Sequence, residues 1–312
     1  MPHVTFIHGI ANKLPSDPLL DLWHRSLAEN SGLDLGTEGV TSSMVYWADV
    51  MYAEPLAEAD QESASDEAVA ESKSADAPLG VADMDAGEIA WTASLAAKLS
   101  VPLAVEAIGA AVIEAAPSPV KETLERIPLP WPVKERLMKR LLRDVHHYLF
   151  NVDSTPRPGE TFKVQDEIRG RMIRALQEGA KKPGPHVVVS HSMGTVVAYD
   201  CLKRVADAPV VDAFMTVGSP LGLDEIQDKL KPEWSRDNGF PFEKVRGHWV
   251  NIYDRLDPVA GFDPVFANEY RKSGNKVVED INEQNYGSWR HDLTKYFHGT
   301  QLRAKMRELL QL

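Results

Sequence analysis

The sequence predicts an α/β architecture, with a mostly parallel six-stranded sheet and helices on both faces. Three observations carry this. Short runs rich in β-branched and aromatic residues alternate with amphipathic stretches at both ends of the chain. Several of those runs are apolar at successive positions, as strands covered on both faces are. At 312 residues the chain is also long enough to bury a substantial core.

The elements follow in order. Residues 4–8 (Val-Thr-Phe-Ile-His) form a first strand stopped by Gly9. Asp17 followed by Pro18 is an N-cap and N1 pair, and it opens a helix through Leu27 whose apolar residues recur at helical spacing. Residues 40–47 read as a second strand. The composition then shifts: residues 53–87 are rich in Ala, Glu, Asp and Ser, as a solvated loop is. Residues 89–116 are Ala-rich and apolar, Pro117, Pro119, Pro128, Pro130 and Pro132 punctuate a link, and residues 133–149 read as a basic amphipathic helix. Alternation resumes with helix 164–180, strand 187–189, helix 195–205, strand 214–217, strand 249–253, a weaker strand at 276–278 and a closing helix over 292–312. The expected organisation is one domain, 1–312, with residues 53–148 inserted after the second strand as an acidic loop and a helical cap.

Charge and cysteine content exclude several function classes. The formal net charge is −12, and eleven acidic residues against one Lys between Glu54 and Glu88 supply −10 of it. The remainder is nearly neutral, so a basic footprint for nucleic acid or anionic lipid is missing. A single cysteine, Cys201, excludes an intramolecular disulfide framework and a cysteine-built metal site. The stretch 89–116 is interrupted by Lys98, Pro102, Glu106 and Glu114, short of the ~18 uncharged residues of a spanning helix. A strand starting beside Met1 leaves no room for a charged and apolar leader, so the expectation is a cytoplasmic protein without stable membrane insertion.

The chemistry is most legible at Val187-Val188-Val189-Ser190-His191-Ser192-Met193-Gly194-Thr195. A buried strand runs straight into a helix with Ser192 at the junction and small residues two positions to either side. At such a turn the hydroxyl projects away from the sheet, in strained backbone geometry that bulky neighbours would obstruct. The helix N-terminus aims its unpaired amides, including that of Met193, at charge developing there. Taken alone, the same pattern describes a serine capping a helix.

With its strand before and helix after, this segment resembles the nucleophile turn of the α/β-hydrolase superfamily, in its bacterial serine esterase and lipase branch. The resemblance spans residues 1–50 and about 160–300, not the insert. Ser190 stands where the family's first elbow glycine is usual, and the family's leading antiparallel strands are absent. The resemblance implies the chain order nucleophile, acid, base, each on a loop at the carboxyl end of a strand. Asp257, followed by Pro258 and Val259, looks like the family's acid loop, with Asp254 the alternative, or else a turn residue paired with Arg255. His291 in Trp289-Arg290-His291-Asp292-Leu293-Thr294-Lys295-Tyr296 resembles the family's His-Asp-x-x-x-Tyr closing segment, with His298 as competitor. His8-Gly9-Ile10 looks like the family's oxyanion segment, implying the Ile10 amide as second donor beside Met193; Gly9 permits the backbone turn.

His8, Gly9, His191 and Leu221 are candidates to line a substrate pocket, Leu221 because Gly218-Ser219-Pro220-Leu221-Gly222 resembles a segment bordering the family's cleft. Ser219 has no helix starting directly after it and is not expected to be a nucleophile. His146 and His147 lie on a polar helix; an adjacent His pair there could suggest metal binding, but neighbours in a helix diverge by about 100° and no carboxylate cluster accompanies them, so no metal is assigned. No cofactor is implied. The expected activity is cleavage of a small-molecule ester or lipid through an acyl-enzyme on Ser192. The alternatives are a thioesterase, amidase or peptidase with the same groups, or a catalytically idle binding module. The insert is either a cap over the site or an extra helical layer, and the oligomeric state stays open.

Overall fold

The computed structural model of the chain describes residues 1–57, 79–102, 125 and 130–312. Strand β1 (His3–Ile7) is followed by α1 (Ser16–Ala28) and β2 (Thr41–Val45). Between β2 and the next strand, in the region read from the sequence as an insert, lie α2 (Ala86–Lys98) and α3 (Trp131–Leu149). A hairpin of β3 (Asp153–Arg157) and β4 (Glu160–Lys163) leads into α4 (Val164–Ala180). Then come β5 (His186–His191), α5 (Met193–Arg204), β6 (Ala213–Val217) and α6 (Asp224–Lys229). The chain ends with β7 (Trp249–Tyr253), β8 (Val278–Asn282), α7 (Leu293–Phe297) and α8 (Thr300–Leu310).

Six strands form one sheet in the order β2-β1-β5-β6-β7-β8, and every neighbouring pair is parallel. This is the predicted α/β fold, with the sheet wholly rather than mostly parallel. Side chains of each strand alternate between two cores. Val187 and Val189 of β5, Met215 and Val217 of β6, and Val250 and Ile252 of β7 meet the apolar faces of α1, α7 and α8. Val188, Phe214 and Trp249 face the other way, toward α3, α4 and α5. From β1 the chain steps to β2 on one side, then resumes at β5 on the other. Loops leaving the carboxyl ends of β1 and β5 therefore diverge, and such a switch point is where open α/β sheets place their sites.

Several local readings need correction. Helix α1 begins at Ser16 with Pro15 at the cap position and no side-chain cap, so Asp17 lies inside the first turn, where its charge suits the helix dipole. Residues 292–312 form two helices, because the Glu283 carboxylate accepts the Leu302 amide at 2.9 Å and caps a second start. The last strand lies at Val278–Asn282 rather than 276–278. The β3–β4 hairpin is polar, holds Pro156 and Pro158, and presents no apolar alternation from which it could be read. Helix α3 is far more enclosed than a basic amphipathic pattern implies: Arg140, Arg143, Asp144 and His146 are all buried. Most of the acidic stretch, residues 103–116, and Pro117, Pro119 and Pro128 lie outside the described residues. Among those described, no helix is long and apolar enough to cross a membrane.

At the opposite end of the sheet from the switch-point loops, the rings of His3 and His186 meet edge to face with centroids 5.3 Å apart. His3 engages Thr41 and Ser43, and His186 engages Thr5. Burial, helped by Lys182 beside His3 and by His3 beside His186, lowers both imidazoles from 6.5 to about 4. The unfolded chain takes up protons at these two sites as pH falls through 6.5, whereas the folded chain resists until about 4. Their stabilisation is thus complete above the unfolded value and is lost on acidification toward the folded one. The urea midpoint should fall steadily from pH 6.5 to 4, and His186→Gln should flatten that fall; a midpoint level across this window would contradict the assignment.

Candidate active site

Strand β5 ends at His191 and helix α5 starts at Met193, leaving Ser192 alone between them. Its backbone angles, φ 53° and ψ −130°, lie where residues with a side chain are rarely found. The surroundings enforce them. The Ser192 amide donates to Val217 O at 3.0 Å, and the Thr195 amide and hydroxyl both return to Ser192 O, at 2.9 and 2.6 Å. Position 194 must be glycine because a Cβ there would lie 2.5 Å from His8 O and 2.9 Å from Ile7 O. Gly9 is required for a related reason: a Cβ would meet Ser192 Cβ at 2.5 Å. Its role is close approach to the serine, not a left-handed turn. Ser190 fits its tight place by donating to Met215 O at 3.0 Å.

The serine, imidazole and carboxylate read from the sequence come together here. Ser192 Oγ lies 2.8 Å from His291 Nε2. His291 Nδ1 lies 2.9 and 3.0 Å from the two oxygens of Asp257. A carboxylate only accepts, so Nδ1 carries the proton and Nε2 is left to accept the serine hydroxyl. Ser192 and Asp257 are 0% exposed and His291 is 4% exposed.

Asp257 is surrounded by donors. Besides His291 it accepts the amides of Val259 and Ala260, at 2.7 and 3.1 Å, and the Tyr296 hydroxyl at 2.8 Å. Burial pushes the carboxyl up, but the attraction of His291 and these hydrogen bonds outweigh it and hold the group below the ordinary carboxylate range. Burial, reinforced by the charge of Asp257, raises the Tyr296 phenol well above its usual value, so it stays a donor. The same tyrosine oxygen accepts the Asp254 amide at 2.9 Å.

Asp254, the alternative acid, is occupied elsewhere. It takes the Leu256 and Asn285 amides, each at 2.7 Å, and its ion pair is with Arg290 at 3.1 Å, not with Arg255. It thereby braces the segment that carries His291. The competitor His298 engages Tyr286 at 2.6 Å and Glu29 at 2.9 Å. Ser219 bonds Thr195 at 2.6 Å and accepts the Leu221 amide, tying the loop after β6 to α5.

A small cleft opens over the serine, lined by Ile10, Lys13, Leu137, His191, Ser192, Trp289 and His291. Met193 is the first residue of α5, and a helix's first amides have no intrahelical acceptor. Of the expected pocket residues, His191 lines the cleft, and its Nε2 donates to His291 O at 2.8 Å. His8 does not line it: the ring stacks on Trp47, Nε2 accepts the Trp47 amide at 3.0 Å, and Nδ1 donates to Gly9 O at 2.9 Å. Leu221 is fully buried in the core, its carbonyl taken by Tyr270 and Gln227. Gly9 packs closely against Ser192 without lining the cleft.

His146 pairs with Glu88 at 2.7 Å and with its neighbour His147, on a helix that is buried rather than polar. Among the described residues no group of three or more His, Cys, Asp or Glu side chains is placed to hold a metal ion. Compared with protein-family models and with curated proteins, the chain matches none.

The part played by Tyr296, five residues after His291, is not legible in its spacing alone. Asp292 caps α7 by accepting the Thr294 amide at 2.9 Å, and that start delivers Tyr296 one turn later beneath the two aspartates. Removing the hydroxyl in Tyr296→Phe leaves the buried Asp254 amide without its acceptor, at a cost of about 1–3 kcal/mol. Urea unfolding measures this, and unaltered stability would show that the hydroxyl is not the tie described.

Proposed function

We propose that this chain is a serine hydrolase of the α/β-hydrolase kind, acting on carboxylic esters of the esterase or lipase type. The observation that carries the reading is the unbroken hydrogen-bonded line from Ser192 Oγ through both nitrogens of His291 to Asp257. A serine hydroxyl becomes an effective nucleophile when an oriented base takes its proton, and this line provides the base, its tautomer and its orientation.

In the proposed reaction Ser192 Oγ attacks the ester carbonyl while His291 Nε2 takes the hydroxyl proton. The carbonyl electron pair moves onto oxygen, which the Ile10 and Met193 amides receive; one such donor is worth about 3–4 kcal/mol. Collapse of the tetrahedral adduct breaks the bond to the alcohol, which leaves with the proton from His291. Water then attacks the acyl-enzyme by the same route and restores Ser192. Asp257 stays ionised throughout, consistent with its lowered pKa. The apolar lining from Ile10, Leu137 and Trp289 suits an acyl chain.

A fluorophosphonate probe should label the wild type and leave Ser192→Ala unlabelled; labelling that survives the substitution would overturn the assignment. Asp257→Asn is expected to lower kcat on a nitrophenyl ester by about 10⁴-fold, and Asp254→Asn by much less. Rates on matched esters, thioesters and amides separate the esterase reading from a thioesterase, amidase or peptidase. A chain-length series with and without detergent distinguishes a lipase from an esterase. A wild type inert to both probe and ester would point to a binding module.

A further inference from the structure

The loop after β1 is held from the inserted region as well as from the sheet. The Ala11 amide donates to Asp144 Oδ2 at 2.9 Å, across 133 residues of sequence. Ala11 has φ 68°, a left-handed conformation that strains a residue with a Cβ and persists where neighbours impose it. Asp144 sits in α3 with no solvent exposure. Its Oδ2 also accepts the Tyr52 hydroxyl at 3.1 Å, and its Oδ1 accepts Arg143 Nε and Nη2 at 3.0 and 2.7 Å. Two further ties run to the start of the insert: Asn12 Nδ2 donates to Glu54 O at 2.7 Å, and the Leu56 amide to Lys13 O at 2.8 Å.

Peptide geometry carries these contacts to the cleft. In a trans peptide the C=O and N–H lie in one plane and point in opposite directions. His8 holds the Gly9 carbonyl, and so fixes the plane whose other end is the Ile10 N–H. The next plane carries the Ala11 N–H, which Asp144 holds. Ile10, which lines the cleft together with Ser192, is therefore clamped on both sides.

We infer that Asp144 is a positioning residue for oxyanion stabilisation, acting through the Ala11 amide to keep the Ile10 amide in place. The inference rests on the hydrolase reading of Ser192. Helix α3 of the insert then serves the reaction as scaffold for the β1 loop, and the carboxylate is required because four donors converge on its two oxygens.

Asp144→Asn supplies one oxygen and one NH2 where two acceptors are needed. With its oxygen toward Ala11, the NH2 meets the Arg143 donors; turned over, it meets the Ala11 N–H. The expected result is a loss of kcat of roughly 10- to 100-fold on a nitrophenyl ester, with KM changed by less than about twofold. Hydrogen exchange in residues 9–13 should accelerate in parallel. The paired change Arg143→Gln with Asp144→Asn matches an amide NH2 to a carbonyl and frees the asparagine oxygen for Ala11. It should restore most of kcat and the slow exchange, and it carries the test if the single variant does not fold. A single variant with wild-type kcat and unaltered loop exchange would overturn the inference, as would a stable double variant with no recovery. A wild type inert to ester and fluorophosphonate defeats the hydrolase reading instead; exchange in residues 9–13 still decides whether Asp144 holds the loop.

Discussion

The strained turn at Ser192 is kept from relaxing by its neighbours in the sheet, and the cleft is built around that constraint. Relaxing φ toward negative values would swing the hydroxyl out of line with His291 and break the bond from the Ser192 amide to Val217 O. The carbonyls of Ile7 and His8 press against Gly194 from the β1 side, and Val217 holds the amide from the β6 side. Strain of this kind survives only where surrounding structure over-determines it. Here the determinants are the two strands that flank β5, which is why the serine could not simply be moved to another strand end. Because all six strands are parallel, the loops that carry Ile10, Ser192, Asp257 and His291 emerge on one side.

Burial sets the second condition. An ionised carboxylate with no solvent exposure is costly unless donors replace its hydration. Asp257 has four: the imidazole, two backbone amides and a tyrosine hydroxyl. The arrangement has a fixed polarity, since every partner donates to the carboxylate and the proton on His291 is thereby assigned to Nδ1. The histidine is steadied from behind in turn. His191 donates to its carbonyl, and the Asp254–Arg290 pair with the Asn285 amide holds the segment before it.

How much of this could be read from the chain depended on the range of the determining contacts. Strands β5, β6 and β7 announce themselves because burial on both faces demands runs of mostly apolar residues, and the helix after β5 shows the matching period. Ser192, Asp257 and His291 are legible as a series because each follows a strand, in the chain order that the resemblance implies. The hairpin of β3 and β4 escapes notice because nothing apolar marks it. His8 and Leu221 lie near the cleft in sequence yet turn away from it, His8 because Trp47 offers it a stacking face and an amide. The break between α7 and α8 comes from Glu283, and the role of Tyr296 comes from two aspartates that only the sheet brings near. Asp144 is the extreme case: one of two acidic residues in a basic helix, whose partner lies 133 positions earlier.

Helix α3 belongs both to the core and to the wall of the cleft. Helix α3 packs its apolar residues into the same core as α4 and α5, as an added layer would. It also places Leu137 on the cleft, less than two turns from Asp144 on the same helix. A side chain that walls the opening and a side chain that pins the β1 loop are thus fixed in relation to one another by continuous helical hydrogen bonds. Surface loops rarely hold such a relation to within the fraction of an ångström that the proposed oxyanion stabilisation demands. A helix locked into the core does, and the buried charges along α3 are the condition for it: with Arg143 compensating it inside the protein, the Asp144 carboxylate can meet the buried Ala11 amide.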